Sequence, residues 1–373
     1  PAVAACVLGP GLTLTDIGRR FAGATALRHK LKRADRLLGN RALQQQAGVV
    51  YGAMCRVMLA RIREPVVLVD WSDLKADQSL HLLRASLAVG GRSLTLYEEV
   101  HTQAKLNKPL VHIRFLRKLA QLLPPGTEPI IIADAGFRVP FYRAVERRGW
   151  RWVGRVRGRD FIRPDKRWGS CKTWFRRATA TPRLLGTGEW VRSNPLPALF
   201  VLFKQPSRGR CAKTAAGKRS RSNKSNKAAR SAKEPWLLVA SPRLSTYSAR
   251  QLVRLYRQRM QIELSFRDMK SQHFGEGLER SRSRSAGRFT VLMLIASLAI
   301  FLLWLLGTAA SVQQLDQRLR PGSRNRRAYS RVFLARLLLT LDACQALLDD
   351  LCNAIHDADQ WVAHDHNELL SEP

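Results

Sequence analysis

Three acidic residues stand where hard oxygen ligands are useful. Asp70 closes the apolar run VVLVD, Asp134 follows the run PIIIA, and Glu263 lies in a helix-patterned stretch after Trp236. Carboxylates are the ligands that Mg²⁺ prefers, and two such ions clamp the attacking and leaving oxygens of an in-line displacement at phosphorus. No nucleophilic side chain is then required, because water or a nucleic-acid 3′-hydroxyl attacks. Asp73 and Asp77 compete for the first position as caps or surface residues; Asp70 is preferred because it ends the apolar run. Around Glu263, the residues Tyr256, Arg259 and Lys270 fall with it inside an arc of about 60° at 100° per residue. A forked guanidinium, an ammonium point charge and a carboxylate on one face suit a surface that holds metal and grips the phosphates around it. Read alone, that row fits a solvated helix face better than a site; the two strand-end aspartates ahead of it favour chemistry.

The composition agrees with an anionic polymer as partner. The chain has 373 residues, with 64 Lys plus Arg against 28 Asp plus Glu, a net charge of +36. Self-repulsion of that size is relieved by a polyanion, so nucleic acid is the first expectation and a membrane surface the second. An apolar content of 45%, with nine Trp and thirteen Phe, excludes a wholly disordered basic protein. The six cysteines form no CxxC pair and no zinc-like spacing, which fits a reducing cytoplasm. The missing Met at Pro1 and the lack of a signal pattern read as an incomplete N-terminus.

The elements that must position these residues follow from periodicity. Residues 12–40 read as a short helix capped by Thr15, a turn, and a second helix from Thr25 to Leu38. In that second helix Leu27, Leu31, Ala34 and Leu38 pack, while Arg28, His29, Lys30, Lys32, Arg33 and Arg36 crowd the remaining surface for phosphate. Three antiparallel strands then turn at Gly90 and Gly91. A helix over 111–123, a strand near Ile130 to Asp134, a helix over 141–148 and a strand from Trp150 complete the order βββαβαβ. A mixed sheet with acidic strand ends predicts an α/β, ribonuclease H-like core. A β-rich insertion over 157–241 contains the segment Ser207 to Lys233, with ten Lys or Arg and no acid, which is expected to be a mobile loop. One long helix is expected from about Thr246 to Gln272. Phe289 to Gly307 carries no charge over nineteen residues, a length that also suits a membrane span. Basic flanks on both sides give no orientation, and a buried helix backing the sheet is preferred, with no membrane partner. The expected organisation is a helical DNA-binding region (1–62), a core in two parts (63–156 and 242–341), the insertion, and a helix end and tail (342–373).

These residues carry a resemblance to the DDE transposases of bacterial insertion sequences, specifically the insertion-sequence-four family with its Tyr-Arg-Glu-Lys signature. The pattern Y-x2-R-x3-E-x6-K is met by YRQRMQIELSFRDMK from Tyr256 to Lys270. The second motif is met by Asp134-Ala135-Gly136-Phe137, and the first Asp by Asp70 in LVDWSD. The resemblance runs from about Leu12 to Leu341. It implies a transposase with Asp70, Asp134 and Glu263 as catalytic metal ligands, for Mg²⁺ with Mn²⁺ able to substitute. Tyr256, Arg259 and Lys270 would then hold terminal phosphates, Trp236 in EPWLLVAS a flipped base, and the Thr25–Leu38 helix the end sequence. It further implies end cleavage, hairpin formation and opening, and strand transfer. The partners would be double-stranded DNA at transposon-end inverted repeats and at the target, and a second copy in a homodimer on DNA, in a bacterial cytoplasm at the nucleoid. The long basic loop and the short tail after Leu341 depart from the family pattern. A structure-selective nuclease such as a junction resolvase, or a catalytically inert repressor of transposition, are the alternatives. His364, Asp365 and His366 read as a frayed polar terminus rather than a metal cluster, Trp150, Trp152, Trp168 and Trp174 as core residues rather than base-stacking ones, and His101 and His112 receive no role.

Overall fold

The computed structural model describes residues 1–9, 11–158, 160–205, 222–223, 234–271, 276–319, 329–340 and 354–371. All but two residues of the expected basic loop 207–233 lie outside them. The chain divides into two units, Pro1–Pro129 with Arg259–Pro373, and Ile130–Gln258.

The first unit begins with four helices, α1 (Ala2–Val7), α2 (Leu14–Arg19), α3 (Leu27–Leu38) and α4 (Arg41–Met58). Helix α2 is capped by Thr13, not Thr15: the Thr13 side chain accepts from the Asp16 N–H at 3.0 Å, placing the cap one turn before the acid that faces the helix dipole. On α3, Ala34 and Leu38 are buried as expected, but Leu27, at the first position of the helix, is 49% exposed.

Strands β1 (Val66–Asp73), β2 (Leu80–Ala88) and β3 (Ser93–Thr102) form an antiparallel meander in the order β3-β2-β1. Strand β2 is buried along its whole length, which explains its near-continuous apolar text. Within that text Arg84 is 1% exposed and sits in register between Asp70 on β1 and Glu98 on β3. Arg84 Nε donates to Glu98 Oε2 at 2.7 Å, and Glu98 Oε1 accepts from the Tyr51 hydroxyl at 2.7 Å and from Ser297 at 2.8 Å. A buried guanidinium is tolerated here because its carboxylate is itself fully hydrogen-bonded. Helix α5 (Pro109–Leu122) follows.

In the second unit β4 (Ile130–Ala133), helix α6 (Val139–Glu146) and β5 (Arg151–Val156) form a parallel βαβ unit. Strands β6 (Phe161–Arg163), β7 (Gly169–Ser170), β8 (Arg183–Trp190), β9 (Leu196–Phe203) and β10 (Trp236–Ala240) extend it antiparallel, in the order β4-β5-β10-β9-β8-β6-β7, so the sheet is mixed. Helix α7 (Cys171–Phe175) leads towards β8, and helix α8 (Ala249–Arg257) closes the unit behind a Ser248–Gln251 capping box. Trp150, Trp152 and Trp174 are buried core residues; Trp168 is half-buried with Arg163 and Arg192 over its ring at 5.3 and 5.8 Å.

The single helix expected over 246–272 is two helices, α8 and α9 (Met260–Lys270), interrupted at Gln258–Arg259, and the interruption coincides with the boundary between the units. Helix α10 (Ala286–Val312) is the 27-residue apolar element. Its most apolar window is 78% buried, and it packs on α1, α3, α4, β3 and α12 (Arg331–Leu339), after a short α11 (Leu315–Arg318). This is the burial expected of an all-apolar helix backing a sheet.

The end of the chain corrects the expected frayed tail. Residues 358–371 form helix α13 (Ala358–Ser371), with Asp365 and His366 buried. The Val66 N–H donates to His366 Nε2 at 3.4 Å, and His366 Nδ1–H donates to the Ala88 carbonyl at 3.0 Å. Asp365 accepts from the Gly90 N–H at 3.3 Å and pairs with Arg331. Polar residues that look like a solvated tail thus satisfy the backbone at the ends of β1 and β2.

Candidate active site

In the first unit the structure brings Asp70, Arg259 and Glu263 together. Arg259 Nη1 donates to Glu263 Oε1 at 2.5 Å and lies 3.6 Å from Asp70 Oδ2. Asp70 and Arg259 are largely enclosed, at 14% and 15% side-chain exposure, whereas Glu263 is 41% exposed. Asp70 is not a strand end: β1 runs on to Asp73, and Asp70 is the point at which its burial changes from complete to partial. Its Oδ1 accepts the Trp71 N–H at 2.8 Å, which leaves Oδ2 turned to the guanidinium.

Helix α9 is held by one face and offers the other. Gln261 Oε1 accepts from the Val89 N–H at 2.9 Å, Ser265 Oγ from the Ser93 N–H at 3.1 Å, and Asp268 from Arg92 Nε at 2.6 Å. These positions follow one stripe along the helix and fasten it to the β2–β3 turn. At 100° per residue Arg259, Glu263 and Lys270 lie within about 40° of one another on the opposite side. Burial, assisted by Arg84, pushes the Lys270 ammonium below its ordinary range, against the opposing charges of Asp73 and Glu279.

The second unit carries Asp134, Tyr256 and Trp236. Asp134 follows β4 directly, and its Oδ1 accepts the Gly136 N–H at 2.7 Å. A Cβ on residue 136 would stand 2.9 Å from that oxygen, which accounts for glycine in the Asp-Ala-Gly-Phe motif. The Tyr142 hydroxyl donates to the Asp134 carbonyl at 3.5 Å, and burial together with the charge of Asp134 pushes its pKa well up. Gly154 makes room for Tyr142, whose hydroxyl oxygen would otherwise lie 2.2 Å from a Cβ. Trp236 is half-buried and packs edge-on against Tyr256 at 5.1 Å and Phe203 at 5.8 Å, with Arg155 over its ring at 5.9 Å. Tyr256 itself is 3% exposed.

On α3, Arg28, Lys32, Arg33 and Arg36 are exposed and Lys30 is half-buried; Arg33 lies over the Phe21 ring at 5.2 Å. His112, given no role by the sequence, accepts from Trp71 Nε1 at 2.9 Å, and burial pushes its pKa down to about 4, with His101 adding to the shift. Arg84, Glu98, Gln261 and Ser265 were also missed. An arginine inside the apolar run LHLLRASLA was the available signal for the first pair.

Among the described residues no three His, Cys, Asp or Glu side chains are grouped so as to hold a metal ion. The donor chemistry nevertheless fits one: in the first unit two carboxylates already converge on a single cationic group, Arg259, and both are hard oxygen donors.

Residues 61–302 match the family model of the transposase DDE domain. The match covers more than half of the chain, which therefore belongs to this family. It is accordingly a DNA-cleaving and DNA-transposing enzyme, of a class that works with divalent metal ions, and the mixed α/β architecture is that of a ribonuclease H-like DDE core. No curated protein matches the chain.

Proposed function

We propose that the protein is a cut-and-paste transposase of the insertion-sequence-four type, with Asp70, Asp134 and Glu263 as its metal-binding carboxylates. The observation that carries this reading is the convergence of Asp70 and Glu263, from a strand and a helix, on Arg259. These carboxylates would hold Mg²⁺, or Mn²⁺ in its place, and the ion supplies charge neutralisation at phosphorus and a lowered pKa for the attacking hydroxyl.

Arg259 balances the two carboxylates in the structure, and its planar fork suits a terminal phosphate once another cation takes that charge. Lys270 adds a point charge from the same face of α9. Tyr256 and Trp236 form the aromatic pair of the second unit, where Trp236 would receive a base taken out of the stack. The exposed basic face of α3 holds the inverted repeat. The reaction then runs by hydrolysis at each end, releasing a 3′-hydroxyl. That hydroxyl attacks the opposite strand to close a hairpin and expel the flanking DNA. Water reopens the hairpin by breaking its phosphodiester, which frees the 3′-hydroxyl again, and that hydroxyl finally attacks a target phosphodiester and displaces a target 3′-hydroxyl. A homodimer on paired ends, in the cytoplasm at the nucleoid, completes the proposal.

The test is substitution of Asp70, Asp134 or Glu263 by Ala. Cleavage of an end duplex in Mg²⁺ should be lost while end binding persists, since affinity comes mainly from Lys and Arg contacts to phosphate. A variant that cuts at the wild-type rate removes its residue from the site.

A further inference from the structure

Residues 280–284 read Arg-Ser-Arg-Ser-Arg, and the backbone is extended at Ser281 and again at Ser285. Burial alternates along this run: Arg280, Arg282 and Arg284 are exposed, Ser281 and Ser283 half-buried. An extended chain points every second side chain the same way, about 6.7 Å apart, so three guanidiniums stand in a row on one edge.

That row lines a cleft of about 790 Å³, which Arg19 and Arg288 complete. Five arginines therefore face two acids, Asp16 and Glu279. Asp16 lies 3.9 Å from Arg280 and Arg288 pairs with Asp35 at 2.6 Å, but among the described residues no acid pairs with Arg19, Arg282 or Arg284. The N-terminus of the 27-residue helix α10, capped by Ser285, opens on the same cleft and adds positive potential. Clustered cations without acid partners are favourable only when an anion shares them.

The ends of the cleft fix what that anion is. At one end the Leu278–Arg280 turn, whose Glu279 and Arg280 line the cleft, packs against α9, the helix that carries Glu263 and Lys270. At the other, the Arg288–Asp35 pair ties it to α3. We propose that this cleft carries the DNA backbone between the stretch held by α3 and the phosphodiester cut at the carboxylates. This rests on the transposase reading above. The cleft holds the strand by charge alone: guanidiniums in a row grip phosphates and position the duplex without reading its bases.

The experiment measures affinity against salt concentration in an Asp70→Ala background, so that no cleavage intervenes. The probes are duplexes carrying the element's own inverted repeat, with the segment next to the cleavage site either native or scrambled. Arg282→Ala with Arg284→Ala should lower the slope of log affinity against log salt by about 1.8, at about 0.9 per lost phosphate contact. The fold-loss should be equal on both duplexes, and Arg282→Lys with Arg284→Lys should restore the slope. Circular dichroism checks that these exposed changes leave the fold intact. An unchanged slope, a loss confined to the native segment, or Lys variants as weak as the Ala pair would overturn the cleft while leaving the transposase reading in place. Failure of the otherwise wild-type protein to bind DNA at all would overturn both.

Discussion

Glu98 holds the charge of a guanidinium that has no access to water, and its removal has a calculable effect. Arg84 and Glu98 are 1% and 2% exposed at their side chains. Glu98→Gln keeps the shape and leaves Oε1 to accept from Tyr51 and Ser297, but it sets an NH₂ donor against the Arg84 donors. Breaking a buried pair from one side costs about 3–5 kcal/mol, or two to nearly four powers of ten in the folding equilibrium at about 1.4 kcal/mol per decade. Adding Arg84→Met removes the stranded charge while Gln still serves both hydroxyls. The double variant should therefore return to within about 1–2 kcal/mol of the wild type. Denaturant unfolding of the four proteins of this cycle gives the coupling directly. Glu98→Gln within 1 kcal/mol of the wild type would refute the reasoning, as would a double variant as unstable as the sum of the singles. There is a functional readout too. Asp70 is the other carboxylate of that cross-strand row, so an unpaired Arg84 is expected to compete with Arg259 for it and slow cleavage well below the melting temperature.

Gln261→Ala leaves the Val89 N–H without its acceptor at the root of α9 and should cost about 1–3 kcal/mol by thermal melt, with a larger fractional loss of cleavage than of DNA binding. Acid should weaken the first unit: His112 and His366 are both held neutral by burial, His112 with a pKa of about 4 against an ordinary 6.5. The unfolded chain takes up those protons first, so the stability is intact above pH 6.5 and falls as pH drops towards 4. His112→Gln, which still accepts from Trp71, should flatten that part of a stability–pH profile. Trp236→Ala should permit first-strand nicking yet impair hairpin closure, with Phe intermediate, because stacking of about 1–3 kcal/mol offsets the cost of unstacking a base. Equal loss of both steps with a lower melting temperature would make Trp236 a packing residue only.

What the sequence made legible was local. Apolar runs, the double glycine of the hairpin and the Asp-Ala-Gly-Phe turn each reflect neighbours in the chain, and the order βββαβαβ follows from them. The Gln258–Arg259 interruption was not legible, because both residues are good helix formers and keep αR backbone angles. Nor was Asp70 in mid-strand: the end of an apolar run marks where burial ends, whereas hydrogen bonding to β2 carries the strand on to Asp73. Arg84 and Glu98, and Asp365 and His366, are charged or polar by composition and buried by partners far along the chain. No periodicity in a short window contains those partners.

Those distant partners also set a timetable. The β2–β3 turn is fastened to α9 by Gln261 and Ser265, and to α13 through Asp365, which accepts from Gly90. The ring at His366 closes a loop of 300 residues back to Val66. A growing chain on the ribosome can thus translate both Asp70 and Glu263 and still lack the clamp that steadies the turn between them. Activity is expected to switch on only after residue 366 has emerged. A transcript cut short upstream of that point would yield a product that retains the exposed basic face of α3 but lacks that clamp.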